Sequence, residues 1–180
     1  MTLSTTRLLL RDLREADFEA VHEYAADPKV VRYTTFGPNT EEQTRAFLTA
    51  CALEPAEVPR RSYTLGVIDR ASGQLIGSCG IMQSDGTARQ FMLGYCFSRA
   101  AWNQGYGKET ARALARFGFE TLNAHRLWAL VFLDNLPSAR ILEGLGFRRE
   151  GLARQSLFAR GAWHDVITFA QLRSEYITGD

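Results

Sequence analysis

The chain reads as an α/β protein: a mixed sheet flanked by helices on both faces. Three observations predict this. The aromatic-rich apolar run Phe91–Phe97 reads as a buried strand, and it leads through Trp102-Asn103-Gln104-Gly105-Tyr106-Gly107-Lys108 into a helical pattern. In that pattern Leu114, Phe117 and Thr121 recur at helical spacing, with Ala111 and Ala115 beside them. The runs Ser62–Asp69 and Gln74–Met82 are strands joined by the turn Arg70-Ala71-Ser72-Gly73. Finally, Asn135 to Gly151 carries a capped short helix, a glycine stop and the start of a strand.

Taken in order, Arg7–Leu13 is an opening strand. Glu15–Ala26 is a helix with Phe18, Val21, His22 and Ala25 on one face, ending before Pro28. Asn39 with Glu42 three residues on reads as a capping box opening a second helix through Leu53. After the two strands, Ser84-Asp85-Gly86 turns the chain toward the Tyr95 strand, and Arg126–Phe132 is the strand that follows the glycine-loop helix. Asn135 caps the next helix, where Pro137 is tolerated because first-turn N–H groups are free in any case. Ile141, Leu142 and Leu145 face the core, Gly146 takes the left-handed conformation that stops the helix, and Phe147 begins a strand. The last strands run over Phe147–Arg154 and Trp163–Leu172. With no repeat, low-complexity stretch or linker, residues 1–180 are expected to be one domain.

Composition narrows the function. A chain of 180 residues with 46% hydrophobic and 11% aromatic content can fill one core. Its 21 basic and 20 acidic residues leave a formal charge of +1, so no field for nucleic acid is expected. Cys51, Cys79 and Cys96 are far apart and the histidines lack ligand spacing, so no metal site is expected; Cys79 and Cys96 read as buried thiols. The start Met1-Thr2-Leu3-Ser4 has no signal-peptide pattern, and no run approaches the ~18 apolar residues that span a bilayer. A soluble, cytoplasmic chain without membrane partners is the expectation.

The glycines sit at a strand-to-helix junction, where free N–H groups and the helix dipole suit a phosphate. The pattern is neither a dinucleotide fingerprint, since Thr110 stands where the third glycine belongs, nor a Walker loop, since Glu109 follows Gly107-Lys108. Alone, such a loop is more often a tight connection.

Together with Asn135-Leu136-Pro137-Ser138-Ala139-Arg140-Ile141-Leu142-Glu143-Gly144-Leu145-Gly146-Phe147, however, it resembles the GCN5-related N-acetyltransferase (GNAT) superfamily. The resemblance is closest to the ribosomal-protein-alanine N-acetyltransferase branch and runs from Leu8-Leu9-Leu10-Arg11 to Asp165-Val166. It implies a mostly antiparallel central sheet of about seven strands. It also implies acetyl-coenzyme A as co-substrate, no metal, and transfer of acetyl to an amine. By this resemblance the backbone at Gln104, Gly105, Gly107 and Lys108 cradles the pyrophosphate, with Tyr106 among the cofactor contacts, while Tyr95, Cys96 and Phe97 run beside the pantetheine arm. Asn135 and Ser138 meet that arm, and Arg140 joins Lys108 near the phosphates. The other arginines of the segment, Arg148, Arg149 and Arg154, fall near the same end or form a solvated face. Trp102 replaces the usual opening Gln or Arg, as in the ribosomal-protein branch. Leu142 stands where many relatives carry a tyrosine acid; the resemblance to the ribosomal-protein branch implies Ser138 as the catalytic candidate, donating to the departing thiolate, and near a helix start it could instead satisfy backbone groups. The branch often forms dimers, so a homodimer is a candidate assembly.

The chemistry sets further demands. An alkylammonium titrates near ~10, so the acceptor must lose a proton before attack, and the developing oxyanion needs a donor, expected at a main-chain N–H around Cys96 and Phe97. The base is open. His164 and Asp165 sit on the last strand, where alternation sends them to opposite faces, and Glu150 could be a solvated edge residue. The acceptor would be chosen by Val30–Pro38, with Tyr33, Thr34, Thr35 and Phe36, and by the loop Glu54–Arg61. Neither carries the acidic cluster that a polyamine or aminoglycoside favours, which points to the α-amine of a protein or peptide. A small-molecule amine acceptor and a catalytically silent acyl-coenzyme A sensor are the alternatives.

Overall fold

The computed structural model describes residues 1–84 and 89–177. In chain order its elements are β1 (Thr2–Ser4), β2 (Leu8–Asp12), α1 (Phe18–Ala25), α2 (Glu41–Leu53), β3 (Ser62–Asp69), β4 (Leu75–Gln83), β5 (Gln90–Phe97), α3 (Tyr106–Arg116), β6 (Arg126–Phe132), α4 (Leu136–Glu143), β7 (Arg148–Ala159) and β8 (Ala162–Leu172). The eight strands form one sheet in the order β1-β2-β3-β4-β5-β6-β8-β7. Every neighbouring pair is antiparallel except β5 and β6. The mixed, two-sided layout read from the sequence is therefore the fold, with the short β1 as an added edge strand.

Each face carries its own apolar layer. On one side α3 and α4 press Leu114, Ala115 and Leu142 onto Leu65, Val67, Ile81, Leu93, Leu127 and Ala129. On the other, α1 and α2 bury Phe18, Val21, Tyr24, Leu48 and Cys51, and Cys96 packs against them. Each fully buried Leu, Val, Ile or Phe among them stabilises the fold by roughly 1.5–3 kcal/mol. Tyr24 keeps a polar handle inside this layer, its hydroxyl donating to Ser78 Oγ at 2.8 Å. Of the residues expected to face the core from α4, Leu142 is fully buried, while Ile141 and Leu145 are half-buried.

Local chemistry sets the element boundaries, and several differ from the sequence reading. The capping box lies one residue later than Asn39 and Glu42. Thr40 Oγ1 accepts from Gln43 N at 3.2 Å, and Gln43 Oε1 accepts from Thr40 N at 2.9 Å. Asn39 is displaced from that role because its own N–H is bound to the Ala25 carbonyl at the end of α1. The glycine-loop helix starts at Tyr106, before the expected Glu109, and after Arg116 it widens through Phe117–Thr121. The final hairpin is longer than read because the polar Gln155-Ser156 is a bulge within β7 and not its end. The register shifts between Ala153 and Leu157, with Gln155 at φ 46°. Arg160 and Gly161, both at positive φ, then close a tight turn. Of the turn read at Ser84-Asp85-Gly86, Asp85 and Gly86 lie outside the described residues. Among the described residues no helix is long and apolar enough to cross a membrane.

Three carboxylates tie strands and helix starts together. Burial opposes the charge on Asp12, Asp17 and Glu109, yet Arg60 at Asp12, Arg11 at Asp17, and Thr5 with Arg7 at Glu109 hold all three below the ordinary carboxylate range. A depressed folded value means stability that is present above the unfolded value and is lost as pH falls through the folded one. Thermal melts should therefore give a steady Tm at weakly acidic pH and a fall that begins below about pH 4. A Tm that is flat down to pH 2 would contradict these assignments.

Candidate functional site

The site originates where two parallel strands part. β5 and β6 pair only over Gln90–Met92 and Arg126–Trp128, after which β5 continues to Phe97 and β6 to Phe132. The hydrogen bonds Ser98 N to Ile76 O and Ser84 N to Gln90 O fix which backbone groups face that gap. Gly77 and Phe97 are opposed without exchanging hydrogen bonds, so the main-chain groups of Phe97 and, two residues back, Tyr95 point away from β4 and into the gap. Those of Cys96 pair with β4. The donor expected around Cys96 and Phe97 thus narrows to the Phe97 N–H. Trp102 fixes this point, its indole N–H donating to the Phe97 carbonyl at 3.0 Å.

The gap opens into a cleft of about 700 Å³ bordered by Tyr95, Cys96, Phe97, Trp102, Asn103, Gly105, Tyr106, Gly107, Lys108, Asn135 and Ser138 from β5, the glycine loop and the helices, and by Lys29, Val30, Arg32, Tyr33 and Thr34 opposite. Gly105 caps α3 at φ 80°, a conformation costly for a side chain with a Cβ. Gly107 sits so close to α4 that a Cβ would stand 3.0 Å from Ile141 Cδ1. The first turn of α3 therefore presents bare backbone to the cleft beside Lys108, a setting that fits a phosphate. Two residues read as cofactor-binding stand outside the lining: Arg140 is exposed on α4, and Gln104 turns outward. The Gln104 carbonyl accepts from Arg7 Nη1 at 2.9 Å and its amide donates to Ala100 O at 2.6 Å.

Arg7 is the residue the sequence reading missed at this end. It also bonds Glu109 through Nε at 2.7 Å and stacks over the Tyr106 ring at 4.6 Å, so the opening strand clamps the glycine loop from behind. Arg7→Ala is expected to raise KM for acetyl-coenzyme A about threefold to tenfold with little change in kcat, from loss of charge-assisted bonds at a half-exposed site. Steady-state kinetics with acetyl-coenzyme A varied would check it; an unchanged KM would show that the loop holds its shape unaided.

Asn135 caps α4 as expected, its Oδ1 accepting from Ser138 N at 3.3 Å. Ser138 Oγ in turn lies 3.0 Å from Tyr95 Oη. Burial raises the Tyr95 phenol to about 12 and likewise the Cys96 thiol to about 12. Leu142, where relatives of the resemblance carry a tyrosine, is buried against the sheet. A phenol is present after all, but it arrives from β5.

A second pocket of about 420 Å³ adjoins the cleft and shares Arg32 and Tyr33 with it. Phe132, Leu133, Asp134, Gln155, Arg160, Trp163, His164 and Asp165 complete it. Arg160 reaches from the hairpin tip to the Val31 carbonyl at 3.1 Å and to the Thr34 carbonyl, pinning the loop that carries Tyr33. Contrary to strict alternation, His164 and Asp165 border the same pocket. It opens at the bulged end of the hairpin, where the Asp165 carboxylate accepts from Gln155 N at 2.8 Å and the His164 ring meets Phe132 edge-on at 5.2 Å. Asp134 and Phe132 had no sequence signal, since only the parting of β5 and β6 brings them here.

Other expectations are corrected. Of the two acceptor segments, only Val30–Pro38 contributes to the clefts. Glu54–Arg61 is held elsewhere, Glu54 by Thr64 at 2.6 Å and Arg60 by Asp12 at 2.6 Å. Glu150 is engaged by Arg126 at 2.6 Å, at the start of β6 and away from the gap. Arg148 pairs with Glu175 at 3.1 Å, also remote from the cleft, because β7 begins at the opposite end of the sheet.

With this geometry in place, similarity to known proteins is informative. The family model of the acetyltransferase (GNAT) domain matches residues 7–148. The uncharacterized N-acetyltransferase YnaD of Bacillus subtilis (strain 168) is 32% identical over 176 residues, covering 98% of this chain and 99% of that protein. The crystal structure of a GNAT-family acetyltransferase from Bacillus anthracis superposes with a TM-score of 0.85 at 31% identity, over 97% of this chain and 100% of the other. More distant relatives have different named acceptors. The spermidine N(1)-acetyltransferase of Escherichia coli (strain K12) is 23% identical over 93% of this chain and 87% of that protein. The ribosomal-protein-S5-alanine acetyltransferase from Vibrio fischeri shares the fold at a TM-score of 0.83, with 18% identity over 98% and 99% of the two chains. A family match over most of the chain, together with near full-length relatives, shows that this protein belongs to the GNAT family and is an N-acetyltransferase.

Proposed function

We propose that residues 1–180 form one domain that moves an acetyl group from acetyl-coenzyme A to the α-amine of a peptide or protein by direct attack. The observation that carries this reading is the pair of clefts meeting at Arg32 and Tyr33, one glycine-lined and basic, the other aromatic with two carboxylates. Two substrates entering from opposite sides of the sheet would meet where β5 leaves β6. Acetyl-coenzyme A supplies the activated acyl carbon. The protein supplies position: the α3 N-terminus and Lys108 for the phosphates, Asn135 and Ser138 for the arm, and the Phe97 N–H for the developing oxyanion.

The acceptor must shed a proton before attack. Asp134, His164 and Asp165 are the groups at hand around the second pocket, directly or through water. Two carboxylates are matched there by two guanidiniums, Arg32 and Arg160, so the pocket lacks the net negative charge that would hold a polycation. A single amine on an otherwise neutral chain fits better. The test is thiol release from acetyl-coenzyme A against peptides with small amino-terminal residues, polyamines, aminoglycosides and free amino acids. Peptide-dependent release supports the reading. Release only with polyamines would move the acceptor to the spermidine-like class, and binding without release would favour a sensor.

A further inference from the structure

From the contact between Tyr95 and Ser138 we infer that Tyr95 is a positioning residue: its hydroxyl donates to Ser138 Oγ and thereby aims the serine's own hydrogen at the leaving sulfur. This rests on the proposed acetyl transfer and deepens it, since Ser138 alone has no evident reason to point its proton into the cleft.

The two oxygens are 3.0 Å apart, and distance alone leaves either one as the donor. A phenol is the stronger acid and hence the better donor, while an alkyl hydroxyl is the better acceptor. The alternative direction would leave the phenol proton without a described acceptor in a half-buried setting, a costly arrangement. With Tyr95 donating, Ser138 Oγ has one hydrogen left. Ser138 borders the cleft beside Phe97 and Ile141, and among the described residues its hydroxyl has no hydrogen-bond partner besides Tyr95, so the remaining hydrogen is free for the cleft space. Ring packing holds this alignment, with Tyr95 and Phe97 centroids 6.2 Å apart.

Burial disfavours the phenolate, so the chain of hydroxyls polarises without ionising. As the carbon–sulfur bond breaks, its electron pair goes to sulfur, and Ser138 O–H donates a hydrogen bond to it, strengthened by Tyr95 behind. The amine forms the new carbon–nitrogen bond. The proton it releases, delivered through water, balances the charge on sulfur, and both hydroxyls keep their own hydrogens. Tyr95 therefore takes part, from the strand and through a serine, where Leu142 offers no acidic group on the helix.

The test needs no turnover. Affinity of free coenzyme A is measured by calorimetry across the range in which an alkyl thiol ionises, near ~8.5, with desulfo-coenzyme A as the reference that lacks the sulfur. In the wild type, affinity for coenzyme A should rise with pH relative to the reference, because the hydroxyl pair favours the thiolate. Tyr95→Phe and Ser138→Ala should each flatten that rise by about tenfold at its upper end, read as the ratio of coenzyme A to desulfo-coenzyme A affinity in the same variant, so that any lost contact with the arm common to both ligands cancels. The double variant should match Ser138→Ala, since Tyr95 acts only through the serine. In turnover, Tyr95→Phe should lower kcat about tenfold, a larger effect than on KM for acetyl-coenzyme A. A Tyr95→Phe profile identical to wild type, or a double variant worse than Ser138→Ala by a further several-fold, would overturn the inference. Failure of the transfer reading looks different: thiol release fails with every acceptor while the pH-dependent binding persists.

Discussion

Gly107→Val is expected to weaken acetyl-coenzyme A binding about a hundredfold while the protein still folds. The position is in the first turn of α3, where only hydrogen separates the backbone from Ile141 Cδ1, with Tyr95 and Phe97 ring atoms at 3.9 Å from a Cβ position. A branched side chain must either push α4 away or project into the cleft. Both responses damage the site. Displacing α4 moves Asn135 and Ser138, and filling the cleft covers the N–H groups that would meet the pyrophosphate. Overpacking of this kind costs about 1–3 kcal/mol. Replacing a helical glycine returns roughly 0.5 kcal/mol through the smaller entropy of the unfolded chain, so net stability changes less than binding does. Calorimetry with acetyl-coenzyme A, beside a thermal melt of the same preparation, separates the two. A Kd within threefold of wild type would mean that the phosphate site lies elsewhere than on this turn.

Legibility in the sequence followed the range of the interactions. Local rules suffice to within a residue for two helix caps: Asn135 reads as a cap from its own neighbourhood, and Thr40 is missed by one place because the competing bond from Asn39 to Ala25 is not local, whereas α3 begins about a turn before its apolar pattern does. Glycine at positions 105 and 107 announced a turn on its own. The strand bulge at Gln155 was read as a strand end, since polar residues in a strand look the same in either case until the partner strand is known. Least legible was whatever depends on β5 and β6 being sequence-distant neighbours that part halfway. The reach of Tyr95 to Ser138 and the gathering of Asp134, His164 and Asp165 follow from that topology, while the route of Arg7 to the loop depends on α3 lying across β2. Strand alternation misled for the last pair because it describes a flat sheet, and the pocket lies where the hairpin bends away from one.

Asp165→Asn is expected to raise KM for the amine acceptor at least about tenfold, leaving KM for acetyl-coenzyme A and the melting temperature close to wild type. The substitution isolates charge from architecture. One carboxylate oxygen of Asp165 accepts from Gln155 N and holds the β7 bulge, and an asparagine carbonyl can keep that bond. What is lost is the negative charge beside Tyr33, Phe132 and His164, where an ammonium would shed its proton. Half-buried and walled by aromatic rings, that charge is screened less than a surface carboxylate, so its loss is felt more than that of the exposed Asp134. Asp134→Asn should accordingly shift the same KM only about twofold to threefold. Asp165→Ala serves as the contrast, since freeing the Gln155 N–H should lower Tm as well as activity. If Asp165→Asn left acceptor kinetics untouched while Asp165→Ala impaired them, the carboxylate would be a strand fastener alone, and the amine's charge would have to be met on the Arg32–Thr34 side of the cleft.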